Sequence, residues 1–444
     1  MTTQLRTLEQ FNDWWTSGAV PARLLQPYRR PLFYELLNYR DDRQMLLVYG
    51  LRRIGKTTIF YQLIQHLLDG GIDPGTILYF SFDVATATIE DVLRTYEQEK
   101  LRQNFEDAGR PYIFFDEIHK AGDWQNQLKI FYDLYPNLKI FICGSASINI
   151  QQKARESLAG RMFEFLLKPL SFREFLALKA ITVPFDEWQL HERRVLPLFH
   201  DYLLKGGFPE LINEASEEKI TTYLRTTVLE RILFIDLPAE FGIKDRELLK
   251  TLVELVTRNP GLRINYDALA RDLKQSKPTI INYVSYLEFG LILKLVRNLR
   301  PGFMATSRKL KRAYPSNVAF ARIFVTADDL GRVIETLMVQ ELDAQYYFRD
   351  NSTEIDFILK NGTILPIEVK YGKPDPAQFR RALDKNGLEY GLMVTKDHYK
   401  AEKLNGTQIL MVPAWTFVLF PHEFIALARK LAGSDPPAGT RPAQ

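Results

Sequence analysis

Short, nearly unbroken apolar runs recur along the first third of the chain, separated by longer and more polar stretches. They are Met45-Leu46-Leu47-Val48-Tyr49, Thr76-Ile77-Leu78-Tyr79-Phe80, Tyr112-Ile113-Phe114-Phe115, Leu138-Lys139-Ile140-Phe141-Ile142-Cys143 and Phe163-Glu164-Phe165-Leu166-Leu167. Continuous apolar character over so few residues fits strands buried on both faces. Helix-like spacing lies between them, first in Thr57-Thr58-Ile59-Phe60-Tyr61-Gln62-Leu63-Ile64 and again, in more polar form, across 83–103. This alternation predicts an α/β domain over 25–167 with a doubly wound parallel sheet.

The pattern then changes. Residues 168–245 carry apolar positions at helical spacing, as in Phe172-Arg173-Glu174-Phe175-Leu176 and Tyr202-Leu203-Leu204. Within 246–312, two helix-like segments, 266–273 and 279–288, flank the polar turn Gln275-Ser276-Lys277-Pro278, and Leu291-Ile292-Leu293-Lys294-Leu295 follows as a strand. That order predicts a winged helix-turn-helix, with Pro278 in the first turn of its second helix, where a missing N–H costs nothing. A last α/β domain is expected over 313–425, and the tail 426–444 has a disordered composition.

Gly50-Leu51-Arg52-Arg53-Ile54-Gly55-Lys56-Thr57 gives the first of these domains its chemistry. A glycine-rich loop between a strand and a helix aims backbone N–H groups at phosphate oxygens. Gly50, Arg53, Ile54, Gly55, Lys56, Thr57 and Thr58 are the candidate nucleotide contacts, with Lys56 on the β- and γ-phosphates and Thr57 on Mg²⁺. The third run ends in Asp116-Glu117, which assigns Asp116 to the Mg²⁺ shell and Glu117 to the attacking water. Ser145, at the end of the fourth run, is the candidate sensor of the γ-phosphate. Cys143 reads as plain packing, and Arg29 and Arg30 either approach the nucleotide base or are surface charge, the surface being the expectation.

These residues resemble a known family, the prokaryotic AAA+-like ATPases with a C-terminal domain of the DUF4143 type. The resemblance runs from about residue 25 to residue 425. It rests on Gly50 to Thr58, Asp116-Glu117-Ile118-His119-Lys120 with Trp124, Gly144-Ser145-Ala146-Ser147, Leu158-Ala159-Gly160-Arg161, Pro169-Leu170-Ser171-Phe172-Arg173-Glu174-Phe175 and Gly206-Gly207-Phe208-Pro209-Glu210. It implies that 168–245 form a lid over the nucleotide and that subunits assemble, as a ring in this class. Arg161 is then either an arginine that completes a neighbouring subunit's site or a structural arginine within its own subunit. No second-sensor arginine stands out after Gly206-Gly207.

Nucleic-acid contact is expected from local patches, because a net charge of +4 is mild. Lys274, Lys277, Thr279 and Asn282 line the start of the second helix of the helix-turn-helix. The stretch 297–312 contains no acid and carries Arg308, Lys309, Lys311 and Arg312 as a phosphate-contacting strip. Winged helices also dock proteins, and that alternative stays open.

The last domain holds Ile355-Asp356-Phe357 and, after the turn Lys360-Asn361-Gly362, Pro366-Ile367-Glu368-Val369-Lys370, the loose pattern D-x(n)-E-x-K. A two-residue loop would put Asp356 and Glu368 on opposite faces, whereas a three-residue loop, or a bulge near Pro366, brings Asp356, Glu368 and Lys370 to one face. The three-residue loop is the expectation. By resemblance the domain looks like the PD-(D/E)xK nuclease fold of archaeal Holliday junction resolvases, which adds Glu335 from a preceding helix. Either a Mg²⁺-dependent nuclease centre or a structural salt bridge follows.

At 444 residues the chain has room for about three domains. It has no run of eighteen apolar residues and starts without an apolar signal region, so a soluble, cytoplasmic protein without membrane contact is expected. A single cysteine excludes an internal disulfide. Two functions compete: an ATP-hydrolysing motor of the translocase, helicase or branch-migration type on duplex or branched DNA, whose last domain grips or cuts the strand, and an ATP-dependent switch whose C-terminal modules bind proteins.

Overall fold

The computed structural model describes residues 3–145, 158–299, 306–324, 329–360 and 363–431. The chain divides into two compact units, Met1–Pro169 and Leu170–Gln444. Among the described residues no helix is long and apolar enough to cross a membrane.

In the first unit each predicted run forms a strand: β1 (Met45–Gly50), β2 (Ile77–Ser81), β3 (Tyr112–Asp116), β4 (Lys139–Ser145) and β5 (Met162–Leu166). All pairs are parallel, in the order β2-β3-β4-β1-β5. Strand β4 therefore separates the strand that feeds the glycine-rich loop from the strand that ends in the acids. Helix α1 (Lys56–Asp69) follows β1 directly. The expected start of this domain at residue 25 is too late. Asn12 pairs with the backbone of edge strand β2, accepting from Tyr79 N at 2.7 Å and donating to Tyr79 O at 2.9 Å. Trp14 and Trp15 both donate to Ile77 O. An amide side chain and two indoles thus satisfy an otherwise open strand edge.

The second unit is built on a nine-stranded sheet, ordered β13-β14-β12-β11-β10-β9-β7-β8-β6. Its strands are β6 (Leu262–Arg263), β7 (Leu293–Leu299), β8 (Thr306–Pro315), β9 (Tyr346–Arg349), β10 (Glu354–Leu359), β11 (Leu365–Lys370), β12 (Tyr390–Thr395), β13 (Lys400–Leu404) and β14 (Thr407–Pro413). Helices α4 (Arg246–Arg258), α5 (Tyr266–Asp272) and α6 (Lys277–Phe289) precede the β7–β8 hairpin, and that hairpin joins the sheet through parallel pairing of β7 with β9. A boundary at residue 312 is therefore corrected: it falls inside β8, and one ladder of hydrogen bonds runs through both expected domains.

The segment expected as a lid contributes α2 (Phe172–Leu178) and α3 (Trp188–Lys205). Their Phe172, Phe175, Phe199 and Tyr202 share one core with Val333, Leu337, Ile367, Val394 and Trp415. Apolar burial at this scale makes both helices part of the second unit rather than a separate layer. Helix α7 (Leu330–Leu342) lies in the same core. Helix Pro376–Lys385 covers a second cluster containing Phe348, Ile355 and Met393.

The Gly206-Gly207 pair marks a close crossing. Gly207 has φ +75°, accepts from Leu170 N at 2.8 Å, and a Cβ there would lie 2.2 Å from Leu170 O. Gly207→Ala is expected to destabilise the second unit by about 2–4 kcal/mol. Denaturant unfolding of the purified chain measures this, and an unchanged midpoint would contradict the crossing.

Candidate functional site

Gly50 ends β1 where a backbone passes too closely for any side chain: a Cβ would lie 2.3 Å from Leu167 O and 2.7 Å from Ile54 Cδ1. Gly55 caps α1 at φ +96°, a left-handed conformation that L side chains rarely adopt. The loop between them presents the first N–H groups of α1, which have no partner within the helix. Lys56 is buried, and its Nζ donates back to Gly50 O at 3.2 Å and Leu51 O at 2.9 Å. Carbonyls of the loop thus hold the ammonium where phosphate oxygens could replace them. Arg30 is not surface charge. It is buried and donates to Ile54 O at 3.2 Å and Pro169 O at 3.3 Å, bracing the loop from below.

Asp116, at the end of β3, collects three donors. Thr57 Oγ1 donates to Oδ2 at 2.6 Å, Tyr79 OH to the same oxygen at 2.9 Å, and Cys143 Sγ to Oδ1 at 2.6 Å. Cys143 is therefore more than packing. Sequence reading missed Tyr79 as well, although a phenol amid the apolar residues Ile77, Leu78 and Phe80 of β2 is the signal that could have found it. Glu117 follows in a left-handed conformation, φ +51°, which is uncommon for a residue with a side chain. Burial pushes its carboxyl up, making it a better proton acceptor, and His119 Nδ1 lies 3.3 Å from its Oε2. The backbone of Ser145 stands in register beside Gly50, while its side chain lies outside the described ones. Arg161 precedes β5, which pairs with β1, and its carbonyl accepts from Met45 N at 2.9 Å, so it stands at the opposite end of these strands from the loop. It holds Asp133 with both ends of its fork, at 2.9 and 3.0 Å.

In the second unit, Lys274 occupies the turn between α5 and α6 with φ +52° and is exposed, as is Asn282. Lys277 is exposed but paired with Asp267 at 2.9 Å. Thr279 is half-buried and its hydroxyl meets Ser276 Oγ at 2.7 Å, so it belongs to the cap of α6. Lys311 is half-buried in β8, and the side chains of Arg308 and Lys309 lie outside the described ones. Arg312 is a correction. Its side chain is only 12% exposed and turns into the acids of the last domain rather than outward.

Those acids converge. Phe357 faces Ile367 and Leu359 faces Leu365 in the β10–β11 ladder, so Asp356 and Glu368 share a face. The connection is residues 360–364, longer than the expected three, but two added residues preserve the parity. Asn361 and Gly362 fall outside the described residues. Val369 N donates to Asp356 Oδ2 at 3.0 Å, and Lys370 Nζ lies 3.0 Å from Glu368 Oε1. Glu335 of α7 accepts from Tyr314 OH at 3.0 Å. Burial, then the charge of Asp356, raises Glu335 to about 7 and Glu368 to about 8.

A family model described as an AAA domain matches residues 42–176. The first unit carries a P-loop ATPase domain of the AAA type. Models for two domains of unknown function, DUF8612 and DUF4143, match 196–329 and 330–416. Relatives span nearly the whole chain. An uncharacterized protein of Haemophilus influenzae is 24% identical over 407 residues, covering 87% of this chain and 98% of its own. Uncharacterized protein MJ1637 of Methanocaldococcus jannaschii is 27% identical over 427 residues, covering 85% of each. Among solved structures, a Walker-type ATPase of Pyrococcus abyssi is 16% identical with a TM-score of 0.37, over 67% of this chain and 95% of that one. The Aeropyrum pernix ORC1 protein, solved in complex with DNA, is 13% identical with a TM-score of 0.33, over 71% and 96%.

The ATPase domain fits ATP with Mg²⁺: a loop open only to glycine, a buried lysine, and a hydroxyl beside a carboxylate, which together suffice when phosphates supply the remaining ligands. The acids of the second unit do not fit a metal. Among the described residues no three His, Cys, Asp or Glu side chains are grouped to hold one.

The raised carboxyls make a pH prediction. Folded values of about 7 and about 8 stand above the unfolded value of about 4.3, so the folded chain binds these protons more tightly. Their stabilising contribution is full below the unfolded value and fades as pH rises through 7 to 8. Glu368→Gln, neutral at every pH, should show a flatter decline of the thermal midpoint between about pH 5 and about pH 8 than the parent chain. Identical slopes would contradict the assignment.

Proposed function

We propose that the ATPase domain hydrolyses ATP and that the chain uses this to move or remodel DNA, as a translocase, helicase or branch-migration motor on duplex or branched DNA. The linked Lys56, Thr57, Asp116 and Glu117 carry the catalytic half of this reading. Lys56 binds the β- and γ-phosphates, and Thr57 with Asp116 holds the cation. ATP supplies the phosphoanhydride bond to be cleaved, and Mg²⁺ neutralises charge on its phosphates. Glu117 orients water and takes its proton, helped by the burial that raises its carboxyl. Ser145 reports on the γ-phosphate from the end of β4.

DNA contact is supported by the exposed Lys274 in the turn before α6, by the exposed Asn282 within α6 and by the acid-free hairpin beside it, read as a winged helix-turn-helix. The second unit grips the backbone through this surface. Subunits act together, in a ring, and Arg161 serves a neighbour's nucleotide after releasing Asp133. The competing reading, a nucleotide-controlled switch that binds proteins, is favoured by the engagement of Lys277 with Asp267 and of Thr279 in the cap, which leaves α6 few free donors.

Lys56→Ala should lower hydrolysis at least about 100-fold, and Glu117→Gln should do the same while still binding ATP. Full turnover in Glu117→Gln would remove it as the base. Hydrolysis by the parent chain should rise several-fold with duplex, forked or four-way-junction DNA at modest salt. A rate unmoved by every DNA would leave the switch as the function.

A further inference from the structure

Arg312 and Tyr314 lie two residues apart on β8 and therefore face the same side. That side carries Glu354 and Asp356 of β10 and Glu335 of α7. The Arg312 guanidinium is ion-paired with Glu354, stands 3.5 Å from Asp356 Oδ1, donates to Tyr314 OH at 3.3 Å and covers the Tyr347 ring at 4.7 Å. Tyr314 passes the network on to Glu335, and Arg349 Nη1 holds the other oxygen of Glu354 at 2.9 Å. Across the face, Asp356 Oδ2 is taken by Val369 N, Glu368 Oε1 by Lys370, and Glu368 Oε2 accepts from Asp356 N at 3.4 Å.

We propose that the guanidinium of Arg312 occupies the centre that a divalent metal takes in a D-x(n)-E-x-K site, so that this constellation is an anchor fastening the β7–β8 hairpin to β10 and β11 rather than a nuclease centre. The donor chemistry supports it. Both oxygens of Asp356 and both of Glu368 already have partners, and three of the cluster's side chains, Arg312, Arg349 and Lys370, are cations. A metal would have to enter against those charges and displace a planar fork that bonds carboxylate and phenol at once. Arg312 thereby leaves the phosphate-contacting strip, and the inference stands whether or not the ATPase domain acts on DNA.

The test is Mn²⁺ binding to the full-length chain without nucleotide, read by calorimetry and electron paramagnetic resonance, in an Asp116→Asn background that silences the P-loop. No saturable Mn²⁺ site is expected up to about 1 mM, the weak end for protein carboxylate sites. Arg312→Gln should gain one Mn²⁺ per chain, and Arg312→Gln with Glu368→Gln should lose it again. One Mn²⁺ per chain with Arg312 intact, lost on Glu368→Gln, would overturn the proposal, as would Mn²⁺-dependent DNA cleavage that needs Glu368. The Arg312-intact measurement decides even if Arg312→Gln does not fold, and it is independent of hydrolysis at the P-loop.

Discussion

One buried carboxylate organises the first unit. Asp116 is nearly inaccessible, at 3% exposure, and a carboxylate so placed is tolerable only if its oxygens are bonded. Its donors come from α1, β2 and β4, so the P-loop helix and two strands flanking β3 are tied to one side chain. The strand order makes this necessary. With β4 between β1 and β3, Thr57 reaches Asp116 across an intervening strand, and that hydrogen bond fixes the start of α1 relative to the acids. Arg30 and the glycine at the end of β1 set the loop from the other side.

The second unit solves a different problem with the same physics. A hairpin that would be an exposed edge pair is built into a larger sheet by β7–β9 pairing and then fastened by charge through Arg312. Burying acids and cations together requires that each find a partner, and here carboxylates, guanidinium groups, an ammonium and a phenol do so within one face. The motif D-x(n)-E-x-K specifies only part of such a face. Strand β8 supplies the residue that decides its chemistry, Arg312, 44 residues upstream of Asp356.

What was legible in the sequence is what depends on local pattern. Strands β1 to β4 of the first unit announce themselves as apolar runs because both of their faces are buried, while edge strand β5 is apolar yet partly exposed, and the P-loop stands out because only glycine fits at Gly50 and Gly55. The α5–α6 pair was legible from two helix-like segments around a polar turn with its proline. What depends on long-range contact was hidden. Asn12 on Tyr79, Arg30 under the loop and Arg312 among the acids are residues of types found mostly on surfaces, and Cys143, of a type usually buried, gave no sign of its bond to Asp116; in each case the partner lies far along the chain. The β10–β11 turn was misjudged in length but not in consequence, since parity alone decides which side chains share a face.

Under the proposed function, Thr57 and Asp116 form a cation-holding pair that makes nucleotide binding depend on Mg²⁺. The most direct measurement is ATP affinity of the parent chain and of Asp116→Asn, each with Mg²⁺ and with chelator, alongside far-ultraviolet circular dichroism to establish folding. The parent should bind ATP more tightly with Mg²⁺, and a folded Asp116→Asn chain should bind it equally with and without the ion. A folded Asp116→Asn chain that keeps the full Mg²⁺ dependence would contradict the account.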